Sequence, residues 1–176
     1  AEGLVAAGAR VVIASRKPEA CAETERHLCA LGGEALGVPA HLGDLAALNA
    51  LVQRSVERFG QLDIVVNNAA TALTQPLGQF TAEVWDKSFG VNLRGPVFLV
   101  EAALPHLEKS AAAAVLNVVS AGAFLFSPRV PMYAAAKAAL MAFTRAMAAE
   151  FAPRGIRVNA LAPGTVDTDM LRNNPP

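Results

Sequence analysis

A chain of 176 residues is long enough for one domain with its own core, and a hydrophobic content of 53% supplies that core. Fifteen Lys and Arg balance fifteen Asp and Glu, so nothing in the charge favours nucleic acid or an anionic surface. The longest apolar run, AAAAVLNVVSAGAFLF at 111–126, is broken by Asn117, Ser120 and Gly122. It falls short of the ~18–20 residues that span a bilayer, which excludes a membrane helix.

In chain order, the first ten residues read as part of a helix that Gly8 stops. RVVIAS (10–15) is short and β-branched and reads as a strand. Pro18 opens a helix that runs to about Leu31, where Gly32 and Gly33 end it. EALGVPAHL (34–42) reads as a second strand, weakened by Gly37 and Pro39. Asp44 caps a helix that ends at Gly60, and LDIVV (62–66) is a buried strand. A long helical region follows Thr81, with an irregularity expected at Gly95-Pro96. AAVLNVVS (113–120) is the next strand, 132–152 a helix, and IRVNALA (156–162) the last strand.

Strands and helices alternate, and the strands are continuous apolar runs. That pattern predicts an α/β fold: a Rossmann-like doubly wound parallel sheet with helices on both faces. No repeat, linker or boundary divides residues 1–176, which read as a single dinucleotide-binding and catalytic domain. Cys21 and Cys29 have no metal-ligand spacing, and a chain with this core and no secretory segment is expected in the reducing cytoplasm. The sequence starts inside a helix without Met and stops at LRNNPP with no closing element, so the expectation is a fragment, incomplete at both ends.

In such folds ligands bind beyond the carboxyl ends of the strands, and the unusual polar residues fall there. Ser15 and Arg16 end the first strand, Asp44 follows the second, Asn67 and Asn68 end the third, and Ser120 ends the fourth. Pro163, Gly164 and Thr165 follow the last. Tyr133, the only tyrosine, stands four residues before Lys137 with three alanines between them. Such i, i+4 spacing puts both side chains on one helix face.

NNAA (67–70), VNL (91–93), NVVS (117–120), YAAAK (133–137) and IRVNALAPGTVDT (156–168), in this order and spacing, resemble the short-chain dehydrogenase/reductase family. The Y-x-x-x-K alone is a weak signal; Ser120 thirteen residues upstream, NNA before it and P-G-x-x-x-T after it make it specific. Ala70 departs from the glycine usual in the family. The resemblance implies hydride transfer between a nicotinamide and a carbonyl or secondary alcohol carbon. Tyr133 would be the general acid/base, Ser120 would orient the substrate oxygen, and Asn92 would help hold a water that relays protons to Lys137. Lys137 would bind the nicotinamide ribose and depress the phenol's pKa. Bringing that value from near 10 toward neutrality needs roughly 4 kcal/mol, the order of one cation ~4 Å away in an intermediate dielectric.

On the cofactor side, the strand ends ASRK: it carries no acid for a ribose 2′-hydroxyl, and Arg16 beside Ser15 suits a 2′-phosphate. NADP(H) is therefore expected over NAD(H). By resemblance Asp44 and Leu45 meet the adenine and Asn67 and Ala69 line the cofactor. Tyr133 and Lys137 meet it too, and Pro163, Gly164, Val166 and Thr168 contact the nicotinamide carboxamide. The family's glycine-rich pyrophosphate turn precedes the first helix, so no residue here is assigned to it. The family's strand order, 3-2-1-4-5-6-7, would put the absent first strand mid-sheet and leave two inner edges unpaired; these 176 residues alone are expected to bind NADP(H) poorly or fold incompletely.

A Ser-His-Asp hydrolase is a poor rival, since Ser120 lies outside G-x-S-x-G and the three histidines are scattered; the same scatter argues against a metal. The alternative of a different class is a catalytically silent dinucleotide-binding or scaffold protein on this fold. Excess apolar surface on the helix after Thr81 and on helix 132–152 predicts a homodimer or homotetramer, pairing that the family commonly shows. AFLFSPRVPM (123–132) is expected to wall the substrate pocket with Phe124, Leu125, Phe126 and Met132 and one charge, Arg129. That wall suits an apolar ketone, such as a 3-oxoacyl chain or a steroid-like ring.

Overall fold

In a computed structural model the structure describes residues 1–125, 130–168 and 172. Helix α1 (Glu2–Ala6) leads into strand β1 (Val11–Ser15), helix α2 (Pro18–Ala30), strand β2 (Ala35–Pro39), helix α3 (Leu45–Phe59) and strand β3 (Ile64–Asn67). Helix α4 (Ala82–Phe89) passes through a π turn (Gly90–Arg94) into helix α5 (Gly95–Leu107). Strand β4 (Ala114–Val118), helix α6 (Pro131–Phe151) and strand β5 (Arg157–Leu161) complete it, with short 3-10 turns at Ala121–Ala123 and Ala152–Arg154.

Local chemistry sets these boundaries. Asp44 Oδ1 accepts from the N–H groups of Ala46 and Ala47 and caps α3, a contribution of about 1 kcal/mol; Gly60, at φ +79°, stops that helix in the left-handed region. Thr81 Oγ1 accepts from Val84 N–H and caps α4. Pro18 and Pro131 take first-turn positions, where a missing N–H costs nothing. Strand β2 keeps its glycine for a packing reason: a Cβ on Gly37 would lie 2.6 Å from the Cys21 carbonyl oxygen, so glycine lets α2 sit close on the strand.

The long helix departs from expectation. Its irregularity lies at Gly90–Arg94, just before Gly95-Pro96, and the two residues open α5. Pro96 has no N–H for the carbonyl of Asn92 four residues earlier, so the regular ladder cannot close and the chain takes one wider turn. Strand β3 also starts later than expected and takes in Asn67, and β2 ends at Pro39, before His41.

All pairings among the described residues are parallel and fall in two sheets, β1-β2 and β3-β4-β5. Strands β1 and β3 each pair on one side only. Ile64 and Val66 of β3 are exposed on one face. The larger core sits between β3-β4-β5 and the helices α3, α5 and α6, built on Val65, Val115, Val158, Val100, Leu107, Met147 and Phe151. A smaller one joins Val38 and Ala40 to Leu51. Helix α3 belongs to both, through Val52 and Leu51, and packs on α5, so it ties the sheets together. Each such side chain contributes about 1.5–3 kcal/mol by leaving water. Among the described residues no helix is long and apolar enough to cross a membrane.

Gly37→Ala is expected to push α2 off β2 and lower the unfolding free energy by about 1–3 kcal/mol, read as a lower urea midpoint at unchanged slope.

Candidate active site

The parallel strands aim their carboxyl ends at one rim. Strand β4 delivers Ser120 in extended conformation, two residues beyond its last ladder residue. Ser120 Oγ accepts from Gly122 N–H at 3.1 Å, so the serine caps the short turn that follows it. Ala121 N–H donates to the Pro163 carbonyl at 2.8 Å and Val119 N–H to Leu161, which ties the rim of β4 to the loop after β5.

Helix α6 supplies Tyr133 and Lys137. Its first turn brings the half-buried phenol into a hydrogen bond with Ser120. Lys137 is only 1% exposed, and its ammonium donates to the Val118 carbonyl at 2.7 Å. The ammonium lies 5.7 Å from the centre of the Tyr133 ring. Ala136 is fully buried against the core, while Ala134 and Ala135 leave the flank of the helix low.

The electrostatics correct one expectation. Lys137 does not depress the phenol here: burial pushes the Tyr133 phenol above its ordinary value, and the Ser120 hydrogen bond offsets part of the rise. Helical spacing gives both groups one face, and the lysine's ammonium is held by the Val118 carbonyl at the end of β4. Burial in turn lowers Lys137 to about 8.

Asn92 sits fully buried in the π turn. Its Oδ1 accepts from Thr71 N–H at 3.0 Å and its Nδ2 donates to the Thr71 carbonyl at 2.8 Å and to Ser88 Oγ at 3.4 Å. The amide thus pairs like a strand rung with the segment that leaves β3. Any water beside this residue would have to use its backbone carbonyl, the group that Pro96 cannot serve.

Asn67 also differs from expectation. Its side chain points into the protein, where Nδ2 donates to Asn117 Oδ1 at 2.8 Å and to the Pro96 carbonyl at 3.2 Å, while Oδ1 is buried with no partner in the structure. Alternation along β3 puts Val65 and Asn67 on the core side, so only its backbone is left to meet a ligand. Ala69 is exposed beyond the strand. Asn117 passes the chain on by donating to Thr144 Oγ1 at 2.9 Å, and Thr144 donates to the Leu140 carbonyl at 2.7 Å. Asn117, Thr144 and Thr71 were not singled out from the sequence. A lone amide inside the apolar run of β4 and a hydroxyl seven residues after Lys137 on the same helix were the available signals.

On the other sheet Ser15 ends β1, and its carbonyl accepts from Ala40 N–H. Arg16 is exposed just beyond it. Both of the N–H bonds that Asp44 accepts go to one oxygen, Oδ1, and its carboxylate is exposed next to half-buried Leu45. Gly164, Val166 and Thr168 are exposed after β5. The structure therefore joins Ser120, Tyr133, Lys137 and Pro163 at one rim, while Asn92 is bonded separately to Thr71 and Ser88. It keeps Ser15, Arg16, Asp44 and Leu45 at the ends of the β1-β2 sheet. Met132, expected in a pocket wall, is buried in the core instead. Phe124 and Leu125 are exposed beside Ser120; Phe126 and Arg129 lie outside the described residues.

A nicotinamide dinucleotide fits this donor set. An exposed guanidinium with no acid beside it suits a phosphate, an exposed carboxylate suits an amino group, and a buried ammonium under the phenol suits a sugar hydroxyl.

Lys137 holds its proton less tightly folded than unfolded, so the unfolded state carries the extra proton between about pH 8 and 10.5 and stability rises with pH across that window. Against Lys137→Met, the wild type is expected to gain up to roughly 3 kcal/mol over the window, by urea denaturation. A constant difference would contradict the assignment.

Comparison with known proteins points the same way. The family model described as short chain dehydrogenase matches residues 1–176. The dehydrogenase/reductase SDR family member 4 of Pongo abelii is 38% identical over 169 residues, covering 94% of this chain and 60% of that protein. The short-chain dehydrogenase/reductase FrzI of Cladobotryum sp. is 41% identical over 169 residues, 93% of this chain and 64% of that protein. Among solved structures, a short chain dehydrogenase from Burkholderia cenocepacia J2315 in complex with NADP superposes with a TM-score of 0.91 at 35% identity, over 96% of this chain and 69% of that one. A dehydrogenase/reductase from Sinorhizobium meliloti 1021 gives 0.91 at 32%, over 96% and 67%. The chain thus spans about 60% of the length of the first of these relatives.

Proposed function

Because the chain belongs to the short-chain dehydrogenase family, we propose that it carries the proton-transfer site of an oxidoreductase that moves hydride between NADP(H) and a carbonyl or secondary alcohol. The observation that carries this reading is the Tyr133 phenol hydrogen-bonded to Ser120 with the Lys137 ammonium buried beneath its ring. The nicotinamide, when bound, supplies or accepts the hydride and in its oxidised form brings a positive charge to the rim.

The protein's part is positioning and proton handling. Ser120 Oγ orients the substrate oxygen against the phenol. Tyr133 gives that oxygen its proton during reduction and takes it back during oxidation. Raised by burial, the phenol keeps its proton as the free chain stands; giving it up readily, or acting as a base, requires added positive charge nearby. Lys137 binds the nicotinamide ribose and supports proton return, with the Asn92 carbonyl holding the relaying water. Residues 1–176 act as one dinucleotide-binding and catalytic domain.

For the cofactor, Arg16 and Ser15 take the 2′-phosphate, which favours NADP(H) over NAD(H). Asp44 and Leu45 meet the adenine. The Asn67 backbone and Ala69 line the middle, and Pro163, Gly164, Val166 and Thr168 meet the carboxamide. The NADP seen in the Burkholderia structure supports the choice of cofactor class. Exposed Phe124 and Leu125 beside Ser120 support a substrate with an apolar body. Exposed Trp85 on α4, Phe98 on α5 and Phe143 on α6 support association into a homodimer or homotetramer. The two free cysteines and the absence of a membrane-spanning helix among the described residues agree with a cytoplasmic enzyme.

In the full-length protein, Tyr133→Phe is expected to lower kcat for NADPH-dependent carbonyl reduction by about 10²–10⁴-fold, with the Kd for NADPH within about threefold of wild type. Unchanged turnover in the variant would refute the catalytic role. Tight NADPH binding by the wild type without turnover on any carbonyl would point to the silent, dinucleotide-binding alternative.

A further inference from the structure

The loop 41–44, between β2 and α3, presents Asp44 and Leu45. Three successive carbonyls of this loop are constrained. That of His41 accepts from Asp44 N–H at 2.9 Å. That of Gly43 accepts from the Arg94 guanidinium at 3.1 Å. That of Leu42 abuts Gly95, where a Cβ would lie 2.3 Å from the oxygen. His41 Nδ1 also accepts from Gly43 N–H at 2.9 Å, folding the loop on itself. The loop's seat against the start of α5 is set by the packing of α3 on α5 and by Arg94 and Gly95.

Those two residues have a specific place. Arg94 ends the π turn and Gly95 begins α5, and the middle of the same turn holds Asn92, which grips the backbone of Thr71 beyond β3. One wide turn therefore braces a loop from each sheet. Arg94 needs its fork to reach a carbonyl, and Gly95 needs its missing side chain to let the carbonyl of Leu42 in.

We propose that Arg94 and Gly95 are positioning residues for the adenine end of the cofactor: through the carbonyls of Gly43 and Leu42 they fix Asp44 and Leu45 relative to Tyr133 and Ser120. This rests on the reading of Asp44 and Leu45 as adenine contacts. The two residues touch neither the cofactor nor the reacting atoms. Their loss loosens the adenine end while the proton-transfer unit, bonded through Val118 and Ser120, stays as it is.

The test compares wild type, Arg94→Ala, Arg94→Lys and Gly95→Ala in the full-length protein. The probes are NADPH, adenosine 2′,5′-bisphosphate for the adenine end, and reduced nicotinamide mononucleotide for the other. Arg94→Ala is expected to weaken both adenine-containing probes about tenfold, the value of one charge-assisted hydrogen bond. Gly95→Ala is expected to weaken them at least as much. Arg94→Lys should recover part of the loss. Affinity for the mononucleotide and kcat at saturating NADPH should stay within about threefold of wild type in Arg94→Ala. A merely structural role would lower kcat and thermal stability together and spare no probe, and that result overturns the proposal. So does unchanged bisphosphate affinity in Arg94→Ala, an exposed substitution that leaves the core intact, whatever Gly95→Ala does to folding. If the wild type binds NADPH but not the bisphosphate, the adenine assignment of Asp44 and Leu45 falls and this inference falls with it. If it binds no NADPH, the cofactor reading itself is refuted.

Discussion

The ammonium of Lys137 is buried, and the partner that holds it is the carbonyl of Val118 at the end of β4. Putting a charge there costs several kcal/mol unless it is partnered. The 2.7 Å bond offsets part of that cost, and the desolvation that remains shows as a pKa lowered to about 8. Its geometric consequence is larger than its net stability. Helix α6 is pinned to the last residue of β4 one turn after Tyr133, and Ser120 leaves the same strand two residues later. The phenol and the hydroxyl therefore meet because the lysine fixes where helix and strand cross. The three alanines between Tyr133 and Lys137 serve the same arrangement: Ala136 lets the helix lie close to the core, and the other two leave the flank above it open.

A second polar constraint runs beneath the rim. Asn67, Asn117 and Thr144 form a buried chain from β3 through β4 to α6, with a branch to the Pro96 carbonyl at the start of α5. Apolar residues in these places would pack the sheet but would not specify which strand end lies against which helix turn. A buried network of directed bonds does specify it, since any slip would leave further amide groups without partners. Asn92 extends that logic into the loop after β3 by pairing with both backbone groups of Thr71. The π turn that Pro96 forces is what places this side chain.

Much of this was legible from the sequence, for identifiable reasons. Asp44, Thr81, Pro18 and Gly60 announce helix ends through local chemistry, and local chemistry is what a sequence carries. The apolar runs of β1, β4 and β5 announced a parallel sheet, and the residues at their carboxyl ends announced the rim. What failed depended on direction in three dimensions. Spacing put Tyr133 and Lys137 on one face, but only the folded chain shows that the ammonium is held by the Val118 carbonyl and that burial raises the phenol. Asn67 reads as a residue at a strand end until alternation along β3 turns it inward. Met132, next to Tyr133, goes to the core for the equivalent reason on a helix. Gly95-Pro96 gave the right cause of the helix irregularity at a place a few residues too late, because proline acts on the carbonyl four residues before it.

Burial holds the Tyr133 phenol high in the free chain, and under the proposed function the positive charge of a bound oxidised nicotinamide would bring it down. In the full-length protein, tyrosinate absorbance taken as the difference from Tyr133→Phe reads this phenol. The titration should lie above the ordinary value near 10 without cofactor and move to lower pH when saturating NADP⁺ is added. A phenol that titrates at the ordinary value and stays there when NADP⁺ binds would contradict the account.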